Sequence, residues 1–206
     1  MIGALLHGIL LAFGLIIPLG AQNVFVFNQG ALQSQFRKAF PVIFTAALCD
    51  TFLILLAVAG VSVIVLTMPI LQTILFGFGL LFLVYMGWSI WKSSPASVNK
   101  HETAMPLKKQ VLFALSVSLL NPHAILDTIG VIGTSSLTYI GKEKIVFTVA
   151  CIIVSWLWFF GLALVGKMIG KLDSEGKFLK VINKLSAIII WAVATYIAWQ
   201  LFHHLS

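Results

Sequence analysis

PLGAQN (residues 18–23) and NPHAILD (residues 121–127) decide how this chain is read. Each sets a proline and amides, and in the second case a carboxylate, inside a long apolar run. Proline removes a backbone donor and clashes with the preceding turn, so a helix carrying it at mid-length breaks. In lipid, a broken helix is tolerated only where the freed backbone is buried in protein or lines water. The two stretches therefore predict two broken membrane helices around a polar centre.

The surroundings fit a membrane chain. Of 206 residues, 60% are hydrophobic and 9% charged, against about 25% charged in a soluble domain. Six apolar segments follow one another, at 2–29, 40–66, 69–91, 110–138, 145–166 and 183–202. Each is long enough to cross a hydrocarbon core of about 30 Å at about 1.5 Å per residue. The pattern predicts an all-α, polytopic membrane protein whose residues 1–206 form a single transmembrane domain. No Lys or Arg precedes Arg37, so the basic start of a signal peptide is missing and segment 1 reads as retained. Thr67-Met68-Pro69 reads as a tight turn, and the stretch from Lys92 to Lys109 as the longest loop. The charged connection from Lys167 to Lys184 has room for a short amphipathic piece.

The net charge is +7. Eleven of the thirteen basic residues follow segments 1, 3 and 5: Arg37 and Lys38; Lys92, Lys100, Lys108 and Lys109; Lys167, Lys171, Lys177, Lys180 and Lys184. Only Lys142 and Lys144 fall on the opposite side. This bias predicts that the first group is cytoplasmic, with both termini outside if segment 1 spans. The basic residues sit in short loops and form no stripe, which suits anionic lipid headgroups and excludes nucleic acid as a partner. Tyr85, Trp88 and Trp91, beside Lys92, are predicted interfacial anchors. Trp156 and Trp158 lie deeper and read as packing. Cys49 and Cys151 lack a C-x-x-C partner and read as small buried hydrophobes. No His/Cys ligand cluster is present, so neither a metal nor a cofactor is expected.

Asp50 and Asp127 are the only acidic residues inside the apolar segments. A charge at the bilayer centre costs about 2.5–3.5 kcal/mol on insertion scales, so each is a functional-site candidate. His123 at i−4 and Thr134, Ser135 and Thr138 at i+7, i+8 and i+11 place a predicted polar face around Asp127. Ala46, Ala47 and Ala57 flank Asp50 with small side chains, which allow close helix approach or open space. Asn121 reads as an N-cap with Pro122 in the first helical position. A second half-helix then begins at membrane depth, with its partial positive end there. Gly20 lets a ligand approach the backbone, and Gln22 and Asn23 supply donors and acceptors. The two breaks also correspond, since segment 1 opens the first three segments and segment 4 the second three. Three helices per half force opposite topology, and five residues after each proline stands a polar residue, Asn23 or Asp127. Paired interruptions of this kind point to a transporter binding site. The expected architecture is therefore six transmembrane helices as two inverted three-helix repeats with helices 1 and 4 broken. The halves run over about 1–92 and 109–206, joined by a cytoplasmic loop at 93–108.

PLGAQNVFVFNQG (residues 18–30), Cys49-Asp50-Thr51 and NPHAILDTIGVIG (residues 121–133) stand in an order and spacing that resemble the LysE family of bacterial lysine/arginine exporters, over nearly the whole chain. The resemblance implies a secondary carrier of the bacterial cytoplasmic membrane that exports amino acids, driven by the membrane potential or proton gradient and working as an oligomer. A related branch that exports neutral amino acids carries P-G-P in place of G-A-Q-N, and N-P-K without the aspartate. Gly20-Ala21-Gln22-Asn23, His123 and Asp127 thus resemble the basic-amino-acid branch. Two intramembrane carboxylates without basic partners suit a cationic cargo on physical grounds as well. The expected substrate-binding residues are Pro18, Gly20, Gln22, Asn23, Asp50, Asn121, Pro122 and Asp127. The cargo's carboxylate would meet the amide ends of the broken helices, and Asp50, Asp127 or both its cationic groups. Asp50, His123 and Asp127 are the proton-coupling candidates. No catalytic set is assigned, and an enzyme is not expected. Other readings are a thiol redox protein using Cys49 and Cys151, an ion channel, and an exporter of neutral amino acids or of another small cation.

Overall fold

The computed structural model describes residues 1–17, 20–61, 69–92, 105–121, 125, 127–173 and 177–205. The regular structure among them is helical throughout: α1 (Ile2–Ile16), α2 (Ala21–Leu32), α3 (Phe40–Leu56), α4 (Pro69–Lys92), α5 (Leu107–Leu119), α6 (Gly133–Ser136), α7 (Lys142–Leu172) and α8 (Lys177–Leu205). A 3-10 turn (Phe36–Ala39) leads into α3, and π-helical turns (Ala57–Val61 and Asp127–Ile132) follow α3 and precede α6.

Both predicted interruptions coincide with breaks. α1 and α2 meet at 80°, and α2 restarts from Gly20 in an extended conformation, φ −77° and ψ 174°. Pro18 and Leu19 lie outside the described residues. In segment 4, α5 stops at Leu119 and helical geometry continues as the π turn from Asp127. Among the described residues, two helical stretches are long and apolar enough to cross a membrane alone, Phe36–Gly60 with 25 residues and Lys142–Leu172 with 31. The bent α1–α2 pair is a third if it counts as one span.

Contacts along α7 settle how far segment 1 reaches. The N-terminal ammonium of Met1 pairs with Glu143 at the start of α7, and Cys151 Sγ lies 3.5 Å from the Gly8 carbonyl. Midway, the Phe13 ring meets Trp158 edge-on at 6.4 Å. Farther on, Gly166 abuts Phe27 and Gly170 abuts Ala31. At the far end the Lys167 ammonium donates to the carbonyls of Gln33 and Ser34. Segment 1 therefore meets α7 along most of its length in the same chain direction, α1 on the first half of α7 and α2 on the second. Small residues make this closeness attainable. A Cβ at Gly30, Gly166 or Gly170 would strike the backbone carbonyl of Ala163, Phe27 or Ala31 respectively, so α2 and α7 touch backbone to backbone.

α2 is the hub of the bundle, with all ten residues from Ala21 to Gly30 buried. Ala21 and Val24 pack with Leu83, Met86 and Ile90 of α4, Val117 of α5 and Ile190 of α8. Phe25 and Val26 pack with Val42, Ile43 and Ala46 of α3 and Phe159 and Ala163 of α7. The outside is apolar. Leu48, Phe52 and Leu55 on α3 are exposed, as are Ile145, Val149, Ile153, Leu157, Phe160, Leu164 and Met168 on α7. Their i+3 and i+4 spacing makes one continuous stripe along α7, the face that lipid would cover.

Two expectations need correction. Among the described residues, the connection between segments 5 and 6 holds no separate amphipathic piece, because α7 runs on to Leu172 and α8 begins at Lys177. Its lysines sit on helix ends instead, where Lys is a good helix former. The predicted polar face around Asp127 also loses two of its members. Thr134 and Thr138 are exposed, and their hydroxyls turn back on their own backbone, to Val131 O at 3.3 Å and Ser135 O at 2.7 Å. The π turn changes the helical period, so spacing counted at 3.6 residues per turn from Asp127 loses register. Residues 67 and 68 of the expected turn lie outside the described residues. Of the predicted anchors, Tyr85 and Trp88 are exposed, and Lys92 Nζ sits 4.7 Å above the Trp88 ring. Trp91 packs on Trp191 at 5.6 Å, with Lys184 Nζ 5.3 Å above it.

Candidate functional site

Asp50 lies ten residues into α3, about 15 Å along its axis. Its Oδ1 accepts a hydrogen bond from Gln22 Nε2 at 3.0 Å, and its Oδ2 one from Ser155 Oγ at 2.9 Å. One carboxylate thus joins the first turn of α2, the middle of α3 and the middle of α7. Gln22 and Ser155 are buried, while Asp50 keeps part of its surface open.

The next residue in each element extends this junction. Thr51 Oγ1 accepts from Trp156 Nε1 at 3.1 Å and donates to the Ala47 carbonyl at 2.7 Å. Asn23 Nδ2 donates to the Ile16 carbonyl at 2.7 Å, and Asn23 Oδ1 accepts from Trp158 Nε1 at 3.2 Å. Helical side chains lean toward the N-terminus, so Asn23 can reach back across the break to the last turn of α1. It clamps the two half-helices to each other and both to α7. The two tryptophans that read as packing therefore also hold polar groups of the site.

Among the described residues no Lys, Arg or His pairs with Asp50. Its partners are two neutral donors, and the partial positive end of α2 stands within a side-chain length. Neutral hydrogen bonds offset only part of the cost of burying a charge. Such a carboxylate is suited to a cation that arrives and departs. At the start of α2, a Cβ added at Gly20 would meet nothing within 4 Å.

Asn121 stands just past the end of α5. Its carbonyl accepts the Ile125 N–H at 3.1 Å, the first backbone bond of a restarting helix, as the capping pattern predicts. Among the described residues its buried Oδ1 has no partner. Pro122 and His123 lie outside the described residues, as does the side chain of Asp127, whose backbone opens the π turn against α3. The structure thus gathers Gln22, Asn23 and Asp50, with Gly20 two residues before Gln22, and sets Asn121 just past the end of α5.

Sequence reasoning missed Ser155, although it is one of only two hydroxyl residues in the apolar run 145–166. It also passed over the amides farther along α2. Asn28 Nδ2 donates to Asn183 Oδ1 at 2.7 Å, and Gln33 Nε2 to Gln29 Oε1 at 3.0 Å. The signal was present, since amides in an apolar helix must find partners. Both cysteines are free and buried. Cys151 faces Gly8 of α1 and Cys49 lies beside Ser118 of α5, so the two thiols have different neighbours. No group of three or more His, Cys, Asp or Glu gathers among the described residues. An apolar groove of about 520 Å³ lined by Phe13, Phe27, Trp158 and Val165 lies against Trp158; its lining has no charged group to hold a cation.

A family model described as LysE type translocator matches residues 5–201. The chain is 56% identical over 200 residues to the putative amino-acid transporter YisU of Bacillus subtilis (strain 168), covering 97% of this chain and 90% of that protein. It is 31% identical over 204 residues to the arginine exporter protein ArgO of Serratia proteamaculans (strain 568), covering 97% and 98%. With the ArgO protein of Enterobacter sp. (strain 638) it shares 31% over 209 residues, covering 100% and 98%. No solved structure matches.

Proposed function

The chain belongs to the LysE type translocator family, as an amino-acid transporter integral to the cell membrane, and from that premise we propose that it exports arginine or lysine by alternating access. The observation that carries the proposal is Asp50. It is held at the junction of the broken segment 1 with α3 and α7 by two neutral donors, and it lacks a basic partner among the described residues. A cationic side chain supplies the missing charge, and its positive charge is neutralised during passage. The cargo's carboxylate faces the amide end of α2 beside Gly20. Full-length similarity to two arginine exporters supports the same cargo.

The inverted repeat is part of the proposal. Segment 1 packs on segment 5, segment 4 on segment 2, segment 2 on segment 5, and segment 3 on segment 6. Exchanging the first three segments with the last three maps this pairing onto itself, which favours two related halves that rock against each other. The shared ends of segment 1 and α7 favour the predicted sidedness. Arg37 and Lys38 follow the end of α2 where Lys167 binds, which we assign to the cytoplasm, and Met1 meets Glu143 at the other end. Asp50, Asp127 and His123 remain the proposed proton-coupling groups, and Pro18 and Pro122 the break-forming ones.

The test is counterflow in reconstituted vesicles with radiolabelled arginine, lysine, citrulline and alanine, with and without an imposed proton gradient. Uptake of the two cationic amino acids over the neutral two is expected. Preference for citrulline or alanine would overturn the cargo assignment.

A further inference from the structure

The buried side-chain atoms left without a partner among the described residues are Gln110 Oε1, Ser118 Oγ and Asn121 Oδ1. Gln110 and Ser118 belong to α5, and Asn121 stands just past its end. Gln110 is remote from the other two, near the start of α5, where its amide nitrogen is taken by the Met105 carbonyl at 2.6 Å. Ser118 and Asn121 stand together at the end, with relative exposures of 0% and 7%.

Three independent features make this end rich in unmet acceptors. Pro122 has no N–H, so it offers the Ser118 carbonyl no backbone donor. The C-terminal end of a helix carries partial negative charge. Among the described residues no donor reaches the two buried side-chain oxygens there, the Ser118 hydroxyl having only the Cys49 thiol beside it, which is costly unless something positive or hydrogen-bonding occupies the spot. The place also belongs to the transport site by position. The Ser118 hydroxyl lies beside the Cys49 thiol, one residue from Asp50 on α3.

We infer that the end of α5, with Ser118 Oγ, the Ser118 carbonyl and Asn121 Oδ1, is a second cation subsite, separate from Asp50. It takes a small monovalent cation through neutral oxygen ligands, either the α-ammonium group of the cargo or a co-transported Na⁺. This rests on the amino-acid cargo proposed above for the first source, and only on the oxygen set for the second. The α-ammonium is favoured because a basic amino acid carries two cationic groups and Asp50 answers one. The end of α2 then serves the carboxylate and the end of α5 the ammonium, each helix end meeting charge of opposite sign.

Thermal unfolding of the purified full-length protein in detergent tests this, with titrations of arginine, argininic acid (hydroxyl in place of the α-ammonium) and citrulline, and with NaCl against choline chloride. Wild-type protein is expected to favour arginine over argininic acid by about tenfold or more, because ligand lacking a matched polar group leaves site groups unpaired. In Ser118→Ala and in Asn121→Ala that preference should fall to about twofold or less, while the arginine-over-citrulline preference carried by Asp50 persists. If Na⁺ is the occupant, NaCl stabilises the wild type over choline chloride and both variants lose that response. Variants that keep both the argininic-acid discrimination and any Na⁺ response overturn the subsite and leave the cargo assignment standing; a structural water alone would give this result. A wild type that ignores every amino acid overturns the cargo assignment, and the Na⁺ arm then decides the subsite alone, a null there overturning it.

Discussion

Asp50→Asn separates charge from shape at the site. Asparagine is nearly isosteric, and its Oδ1 can still accept from Gln22 Nε2. The Ser155 hydroxyl can rotate to accept from the new amide, so both contacts now at 3.0 and 2.9 Å keep a partner. The fold should therefore hold, with an unfolding midpoint equal to or above wild type, because an unpaired buried charge disappears. Transport of a cation should not hold. A guanidinium about 4 Å from a carboxylate at an effective dielectric constant of about 20 gains about 4 kcal/mol. A neutral amide retains about 1 kcal/mol of that as an ordinary hydrogen bond. The difference of about 3 kcal/mol corresponds to about 100-fold in arginine transport efficiency, at about 1.4 kcal/mol per factor of ten. Citrulline has arginine's shape without its charge and should change by less than about threefold. The assay is vesicle counterflow with arginine and citrulline as competing cargoes, normalised to protein reconstituted. An arginine-to-citrulline ratio that stays at the wild-type value in folded Asp50→Asn protein would refute the charge argument outright.

Other substitutions probe the frame around that carboxylate. Asn23→Ala removes the bonds to Ile16 O and from Trp158 Nε1 and should cost about 2–4 kcal/mol, from two buried groups left unmet, seen as a lower unfolding midpoint together with slower arginine counterflow. Gly166→Ala forces a methyl onto the Phe27 carbonyl, whereas a Cβ at Gly161 on the same helix meets nothing within 4 Å. The first should lose about 3 kcal/mol or fail to fold and the second should be neutral, as read by the monodisperse yield on size exclusion. Replacing both Cys49 and Cys151 with alanine should leave arginine transport at the wild-type level, because the two thiols face different helices; loss of transport in folded Cys-less protein would revive the redox reading.

Sequence legibility followed how local the responsible chemistry is. The breaks at Pro18 and Pro122 were readable because proline's missing N–H acts on its own turn, whatever packs around it. Asp50 was readable because an acid in an apolar run is costly wherever its helix ends up. Ser155, Trp156 and Trp158 were not, because their roles depend on how α7 is rotated against α2 and α3. That rotation is set by the backbone contacts of Gly30, Gly166 and Gly170, which no periodicity in one segment encodes. The lining expected at Thr134 and Thr138 failed for a related reason: a π turn between Asp127 and Ile132 breaks the period on which the expectation stood. Apolarity alone ends segment 5 at Gly166, while the helix continues through Lys167 and Lys171 to Leu172.

The place of Asp50 within the two halves leads to one more prediction. The prolines that break segments 1 and 4 stand at 18 and 122, an offset of 104 (122 − 18). Adding that offset to Asp50 gives position 154, one residue from its hydrogen-bond partner Ser155. Under an inverted repeat, a residue that contacts its own counterpart lies at the axis relating the halves. A carboxylate there stays central whichever half has swung, which suits a charge that must serve the cargo in both inward and outward states. Near such an axis, moving the carboxylate across it shifts the charge by about one hydrogen-bond length and leaves its membrane depth unchanged. Asp50→Ser should abolish arginine selectivity, and adding Ser155→Asp should recover at least about a tenth of it, with about 1.4 kcal/mol forfeited because Gln22 no longer reaches the carboxylate. Counterflow of arginine against citrulline reads both proteins. A double variant that folds but is no more selective than Asp50→Ser would place Asp50 off the axis and remove this support for two inverted halves.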